Sequence, residues 1–309
     1  MQIDNRNSLA LHDVACPICG EGTKEPVYEL GAEPATKRTV VRCASCLLMF
    51  VSPRIPSEEI TKKYSGKSYF EREDDATGYR NYLQDRELHL IFFSRQLDEL
   101  EARGPKGFLV DVGCAGGFLI AEANRRGWKA QGVELSSFAS EYARETLGLD
   151  VVTGNLRETA LPSGHYQAVV MDDVIEHFED PMIEILEVVR ILKPGGFLLV
   201  HTPNAASPWR RLMGSKWVHL KPDEHLFYFD PATITRLLER AGLRMVFVRS
   251  CSKSTNINYI NGVIGKYLPS FSNLLVRLFS KHRFWWRPFS FRGGGMEACA
   301  QKPAQRAKP

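Results

Sequence analysis

The chain is predicted to fold as an α/β protein: a doubly wound sheet of about seven strands, mostly parallel with the last strand antiparallel, preceded by a small N-terminal cysteine ribbon. Three observations predict it. From Gly107 onward, short apolar runs alternate with amphipathic stretches of helical period. The first of those runs ends in a glycine-rich turn, Gly113-Cys114-Ala115-Gly116-Gly117. Upstream stand two C-x2-C pairs separated by 23 residues.

The elements follow in order. The gap between the cysteine pairs holds VYEL and TVVRC, which suit a short hairpin. Residues 51–78 read as irregular, punctuated by Pro53, Pro56, Gly66 and Gly78. Residues 79–103 form a long amphipathic helix, with Tyr82, Leu83, Leu90, Ile91, Leu97 and Leu100 at helical spacing. Strands are expected at 108–113, 129–136, 150–154, 166–173 and 195–204, with helices at 118–127, 137–148 and from the fourth strand to Leu192. An Asp cap and a Pro open a helix at 230–242, and 243–250 and 296–302 supply the last two strands. This divides the chain into a ribbon at 1–55, a linker and helix at 56–105, a main domain at 106–303 and a disordered tail at 304–309.

Composition fits a globular protein with a sizeable core: 44% of the 309 residues are hydrophobic and 25% charged. No run of 18 apolar residues occurs, and the polar N-terminal MQIDNRNSLALHD lacks the apolar stretch of a secretory signal. A cytoplasmic location is expected, with peripheral membrane contact through 251–292 as an option. That stretch interrupts the last two strands and holds seven Lys or Arg, nine aromatics and no acid. Leu274, Leu275, Leu278 and Phe279 form one face of it, with Arg277 and Lys281 on another. It is read as a membrane contact, a lid for an anionic acceptor, or a helical hairpin packed on the core.

The glycine turn is a ligand cradle. Small residues let the backbone approach a ligand, and the helix that follows offers free N–H groups. Glu134 stands 21 residues after Gly113 at the end of the second strand, where doubly wound folds grip a ribose. A dinucleotide fingerprint would need Gly at 118, which is Phe118, and Asp111 occupies a position normally apolar in such folds.

At this point residues 106–250 resemble a class I methyltransferase that uses S-adenosylmethionine (SAM), a family with a Rossmann-like fold. DVGCAGG resembles the family's D-x-G-x-G-x-G motif, with Ala115 replacing the second Gly. GVELS resembles its acidic second motif, and GNL (154–156) its adenine loop, with Asn155 where Asp is common. VVMDDVIEHFEDP and LKPGGFLLVHTPN resemble the fourth and fifth strand motifs. The resemblance implies that Asp111, Gly113 and Gly117 line the methionine part of SAM and that Glu134 holds the ribose. It further implies that Leu135 covers the adenine, that Asn155 and Leu156 flank it, and that Asp172 lies near the ammonium.

Cys16, Cys19, Cys43 and Cys46 have the spacing of a four-thiolate zinc site, which is structural because it leaves no open position. Gly20 follows the first pair and Leu47 the second. The ribbon with VSPRIPSEEI and KSYF resembles the N-terminal extension of methyltransferases acting on sugars and secondary metabolites. Two decoys are set aside. Gly66-Lys67-Ser68 ends like a phosphate loop, but Thr61 stands where it needs Gly, and Cys114 has no base beside it.

If the acceptor is a hydroxyl, a base must take its proton, and His225 is favoured with His177 second. His201 lies at the end of strand five, and Trp209, Trp217 and Tyr228 are candidate pocket walls. The expected substrate is a small molecule, a sugar, glycan or lipid-linked metabolite, anionic in one reading. Two alternatives stand beside it: an RNA methyltransferase and a non-catalytic binding protein. Nine basic and eight acidic residues in 1–70 leave the ribbon no electrostatic footprint for nucleic acid.

Overall fold

The computed structural model describes residues 11–31, 37–55 and 86–304. The irregular linker, the first turns of the predicted helix at 79–103, the phosphate-loop decoy and most of the predicted tail lie outside them.

A seven-stranded sheet forms the main body. In chain order its strands are β4 (Phe108–Val112), β5 (Lys129–Glu134), β6 (Val151–Thr153), β7 (Tyr166–Asp172), β8 (Leu192–Pro203), β10 (Arg244–Thr255) and β11 (Phe289–Gln301). Across the sheet the order is β10-β11-β8-β7-β4-β5-β6. β11 is antiparallel to both its neighbours, and the other pairs are parallel. The last strand therefore runs against the rest, as expected.

Side chains alternate between two cores. Leu109, Val170 and Leu199 face one, with Phe92, Phe93, Leu97 and Leu100 of α1 (Arg86–Glu101) and Phe118 to Ile120 of α2 (Phe118–Arg125). Val110, Val169 and Leu198 face the other, with α4 (Pro181–Ile191) and α6 (Pro231–Arg240). That period of two between neighbouring strand residues is what a doubly wound sheet requires. In α1 the aromatic pair carries the buried face, and Ile91, expected to share it, is 39% exposed. The predicted helix at 137–148 is a short α3 (Ser137–Glu141) continued by a π turn at Tyr142–Thr146.

Caps fix the helix starts. Asp180 accepts from the N–H of Met182 and Ile183, and Asp230 and Thr233 form a reciprocal capping box, each followed by Pro in the first turn. The second was read in the sequence as Asp-Pro.

A second sheet is built by the ribbon, in the order β1 (Lys24–Leu30), β2 (Arg38–Cys43), β3 (Met49–Val51) and β9 (Phe227–Tyr228). The last of these comes from the main body: Met49 pairs with Tyr228 and Phe50 with Phe227. Ile18, Val40 and Phe50 of the ribbon share one apolar core with Val110 and Leu198 of the large sheet.

The final strands are longer than expected. β10 continues to Thr255 and β11 begins at Phe289, so the interruption predicted at 251–292 shrinks to residues 256–288. It carries α7 (Ile257–Gly265), α8 (Pro269–Phe279) and α9 (Arg283–Trp286), and α5 (Pro208–Met213) lies alongside, with Trp209 Nε1 donating to the Arg292 carbonyl. No helix among the described residues is long and apolar enough to cross a membrane.

Candidate active site

The glycine turn after β4 is pinned to β5. Gly113 N–H donates to the Val133 carbonyl at 2.7 Å, and Ala115 N–H donates to Glu134 Oε2 at 2.8 Å. The other oxygen of Glu134 accepts from Ser136 N–H at 2.8 Å. Each carboxylate oxygen keeps a second lone pair for a ligand hydroxyl. Gly113 and Gly117 have φ of 73° and 80°, and neither tolerates a side chain: a Cβ would lie 2.4 Å from Val174 Cγ2 in the first case and 2.6 Å from Leu149 Cδ1 in the second. Ala115, where the resemblance has Gly, also takes a left-handed φ of 46°. Gly132 was not singled out from sequence. It is needed because a Cβ there would meet Cys114 Sγ and Ile120 Cδ1, each at 2.5 Å.

Asp111 is buried behind this turn. Burial, with the nearby charges of Asp172 and Glu134, pushes its carboxyl well above the usual range. Burial also raises that of Glu134, against the pull of the Ser136, Ala115 and Leu135 amides. Leu135 is half-buried beside Glu134. Asn155 Oδ1 accepts from Glu158 N–H at 3.0 Å, so this side chain closes its own turn, while Leu156 packs into the core.

Asp172 sits in a charge cluster. Its Oδ1 lies 2.8 Å from His201 Nδ1 and 3.6 Å from Lys253 Nζ. The neighbouring Asp173 lies 2.8 Å from the same His201 nitrogen and 2.5 Å from Lys253. Burial opposes ionisation of Asp173, but Lys253 and His201 hold its carboxyl well below the usual range. Burial and Lys253 work against His201, and the two aspartates still keep it protonated well above its ordinary value. Asp173 and Lys253 were not foreseen. Only the register that sets Asp172 beside His201, and the extra length of β10, bring them together.

The two candidate bases meet. The rings of His177 and His225 stand edge to face at 4.8 Å, and His219 stacks on His225 at 6.2 Å. His177 Nδ1 lies 2.8 Å from the Glu224 carbonyl. Donor atoms of Glu176, His177 and His225 all fall within 4.8 Å of one another. Glu176 accepts from Thr202 Oγ1 at 2.9 Å through one oxygen. Its other oxygen and His225 Nδ1 are buried with no hydrogen-bond partner among the described residues. Burial, aided by Asp173, pushes the Glu176 carboxyl up to about 8. Burial, then the neighbouring His177 and His219, holds His225 well below its ordinary value, so its imidazole is neutral at pH 7. Trp217 walls this cluster, its ring 5.3 Å from His219, and Tyr228 lies against Trp217 at 6.3 Å, whereas Trp209 stands apart against Phe291.

The cluster adjoins the glycine turn. Val174, the residue against which Gly113 packs, immediately precedes the Ile175–His177 turn.

In the ribbon, Cys16 Sγ lies 3.4 Å from Cys46 Sγ and Cys19 Sγ 3.5 Å from Cys43 Sγ, and all four sulfurs lie within 4.8 Å of one another. Sulfurs about 2.3 Å from a tetrahedral zinc would be spaced about 3.8 Å apart, so the set fits that ion. Each pair closes a knuckle: Gly20 N–H donates to the Cys16 carbonyl and Leu47 N–H to that of Cys43. Leu47 takes a φ of 66° beside 77° for Gly20, so the non-glycine residue adopts the same left-handed turn.

Residues 80–248 match a family described as a methyltransferase domain. The chain is 29% identical over 185 residues to a ubiquinone biosynthesis O-methyltransferase of Dinoroseobacter shibae, covering 52% of this chain and 75% of that protein. It is 28% identical over 148 residues to one of Thiobacillus denitrificans, covering 44% of this chain and 63% of that protein. A solved SAM-dependent methyltransferase from Archaeoglobus fulgidus superposes with a TM-score of 0.50 at 17% identity, covering 72% of this chain and all of that one. The structural likeness concerns the fold.

Proposed function

The chain belongs to the methyltransferase-domain family as a SAM-dependent enzyme, and from that premise we propose that it methylates a hydroxyl oxygen of a small molecule: a sugar, glycan or lipid-linked metabolite. The observation that carries the oxygen acceptor is a neutral, buried His225 whose Nδ1 has no partner among the described residues, beside the turn that Gly113 packs against. The O-methyltransferase names of the two relatives support oxygen as the accepting atom.

When bound, SAM supplies an electrophilic methyl group on a sulfonium. Glu134 holds the ribose hydroxyls through the free lone pairs of its two oxygens. Asp111, Gly113 and Gly117 line the methionine end, with Leu135, Asn155 and Leu156 at the adenine end. Asp172, already held by His201 and Lys253, contributes a carboxylate near the ammonium. His225 would take the acceptor's proton at Nδ1 as the oxygen gains the methyl group and the carbon–sulfur bond breaks to release S-adenosylhomocysteine, and His177 would orient the His225 ring edge-on. The thiolates of Cys16, Cys19, Cys43 and Cys46 would hold a structural zinc, a four-sulfur shell leaving no open position for chemistry.

The test is methyl transfer from labelled SAM to a panel of hydroxylated sugars and lipid-linked glycans, with product mapping. His225→Ala is expected to lose about 10²–10⁴ in kcat while S-adenosylhomocysteine binding holds. Full turnover in that variant, or a methyl group found on nitrogen or carbon, would overturn the proposal.

A further inference from the structure

We propose that the helical excursion between β10 and β11 seats the protein on an anionic bilayer surface. This goes beyond the reaction and does not depend on which acceptor is methylated.

The helix α8 buries only Ser272, half-buries Leu275 and turns its other apolar side chains outward. A helix on a globular protein turns its apolar stripe to the core and its polar face to water. Here the inward position is polar: Ser272 is buried and bonds to Asn261, accepting from Nδ2 at 2.8 Å and donating to its carbonyl at 3.2 Å. The outward positions are Phe271, Leu274 and Leu278, spaced three and four residues apart and 49%, 51% and 54% exposed. The apolar surface continues through Leu268, 58% exposed, and Trp286, 52% exposed.

These side chains stand on an ordered base. Trp285 is 1% exposed and donates from Nε1 to Asn258 Oδ1 at 3.1 Å. Gly265 lets α7 and α8 close together, since a Cβ there would lie 3.0 Å from Ser272 Oγ. The exposed apolar stripe is therefore a built surface.

Charge chooses the occupant. Arg277, Lys281, Arg283 and Arg287 are all exposed around the stripe, and residues 251–292 contain no acid. Exposed Leu, Phe and Trp flanked by Lys and Arg describe a surface that inserts shallowly among lipid headgroups and gains from anionic ones. A second copy of this chain would press the same cationic surface against itself, and like charges facing each other disfavour that pairing.

The placement fits an enzyme whose acceptor arrives from the bilayer. β10 runs in the same direction as β8, so the excursion leaves the sheet at the carboxyl ends of the parallel strands, and Lys253 on β10 reaches Asp173 at the end of β7. The bilayer would lie on the side from which the active site is entered.

The experiment is flotation of the full chain with vesicles of phosphatidylcholine containing phosphatidylglycerol, against phosphatidylcholine alone, at low and high salt. Binding to the anionic vesicles, weakened by salt, is expected. The variant Leu274→Glu with Leu278→Glu is expected to bind about tenfold or more weakly, and so is Arg277→Glu with Lys281→Glu, at about fivefold per charge removed. These positions are exposed, and unchanged unfolding and S-adenosylhomocysteine titrations show that the variants remain folded. No binding, equal binding to neutral vesicles, or variants that bind like the parent would each overturn the proposal. So would sedimentation showing that the leucines hold a dimer while the parent ignores vesicles.

Discussion

Replacing Glu134 with Gln isolates the grip of the glycine turn, because it keeps the side chain's volume and removes its charge. In the parent, the two carboxylate oxygens accept from Ala115 and Ser136 N–H, both at 2.8 Å and both buried. Glutamine brings one oxygen and one NH₂, so one of the two backbone donors must face another donor. A buried N–H left unmatched costs about 1–3 kcal/mol, and the surviving bond loses about 1 kcal/mol in going from charge-assisted to neutral. The loss at the turn is then about 2–4 kcal/mol. Burial already disfavours the ionised Glu134 in the parent, so part of this is returned in global stability when the charge is removed. Cofactor affinity receives no such return, because the turn and the proposed ribose contact are disturbed together. Weakening of S-adenosylhomocysteine binding by about 30-fold or more is expected, equivalent to about 2 kcal/mol. Calorimetric titration of parent and variant reads the affinity, and urea unfolding reads the stability. Equal dissociation constants would show that Glu134 neither shapes the turn nor meets the ribose, and the cofactor assignment built on it would fall.

Other outcomes follow from the same geometry. Ala115→Gly relieves a left-handed φ of 46° and is expected to leave stability level or raise it by up to about 1 kcal/mol with cofactor affinity retained, read from urea midpoints. Gly132→Ala places a Cβ 2.5 Å from Cys114 Sγ and Ile120 Cδ1 and is expected to destabilise by about 1–3 kcal/mol; an unchanged midpoint would contradict the packing described. Glu176 has a folded-state value of about 8 against an ordinary 4.5, so the folded form holds its proton more tightly. Its contribution is fully present below about pH 4.5 and is lost as pH rises toward 8. Unfolding at pH 5 and pH 9 should therefore show a smaller drop in Glu176→Gln than in the parent, and parallel drops would refute it. Cys43→Ser should release bound zinc, measured by atomic absorption, and lower turnover more than tenfold while S-adenosylhomocysteine affinity stays within about twofold.

What was legible in the sequence is what local chemistry writes there. β4, β5 and β7 are apolar runs that stop at an acid or a glycine, and Asp180-Pro181 and Asp230-Pro231 announce helices with their own caps. The far halves of β10 and β11 carry no such mark. Ser250-Cys251-Ser252-Lys253-Ser254-Thr255 reads as a loop because neither face is apolar, and pairing such as Lys253 with Phe291 makes it a strand. β9 is two residues long and exists because β3 lies beside it. The same distinction governs the site. Glu134 and the glycine turn lie within one unit of strand, turn and strand, so spacing reveals them. Asp173, His201 and Lys253 come from three strands, and no spacing links them before the sheet is assembled. His177 and His225 were each placed by position along the chain, but their edge-to-face contact depends on the loop between β8 and α6 folding back.

The ribbon has a structural link to the proposed active site. Leu226, next to His225, is held from two sides: its carbonyl accepts from Val51 N–H of β3 at 2.9 Å, and its N–H donates to the Glu176 carbonyl at 2.8 Å. Arg236 Nη1 donates to the Cys46 carbonyl at 3.0 Å, and Arg54 Nη2 to the Glu179 carbonyl at 2.8 Å, so the ribbon is tied both to α6 and to the segment that follows His177. A long loop loses conformational freedom when it is fixed, and its own contacts rarely hold a base in place. Adding Phe227 and Tyr228 as the edge of the cysteine-bearing sheet supplies that restraint from outside the loop. The ribbon thus reaches the segment of His225 through β3 and β9, whereas Glu134 is held by the turn after β4 and the start of α3, with no ribbon contact among those named. On the proposed roles, cofactor binding and proton removal rest on different sheets, which is why loss of the proposed metal is expected to separate them.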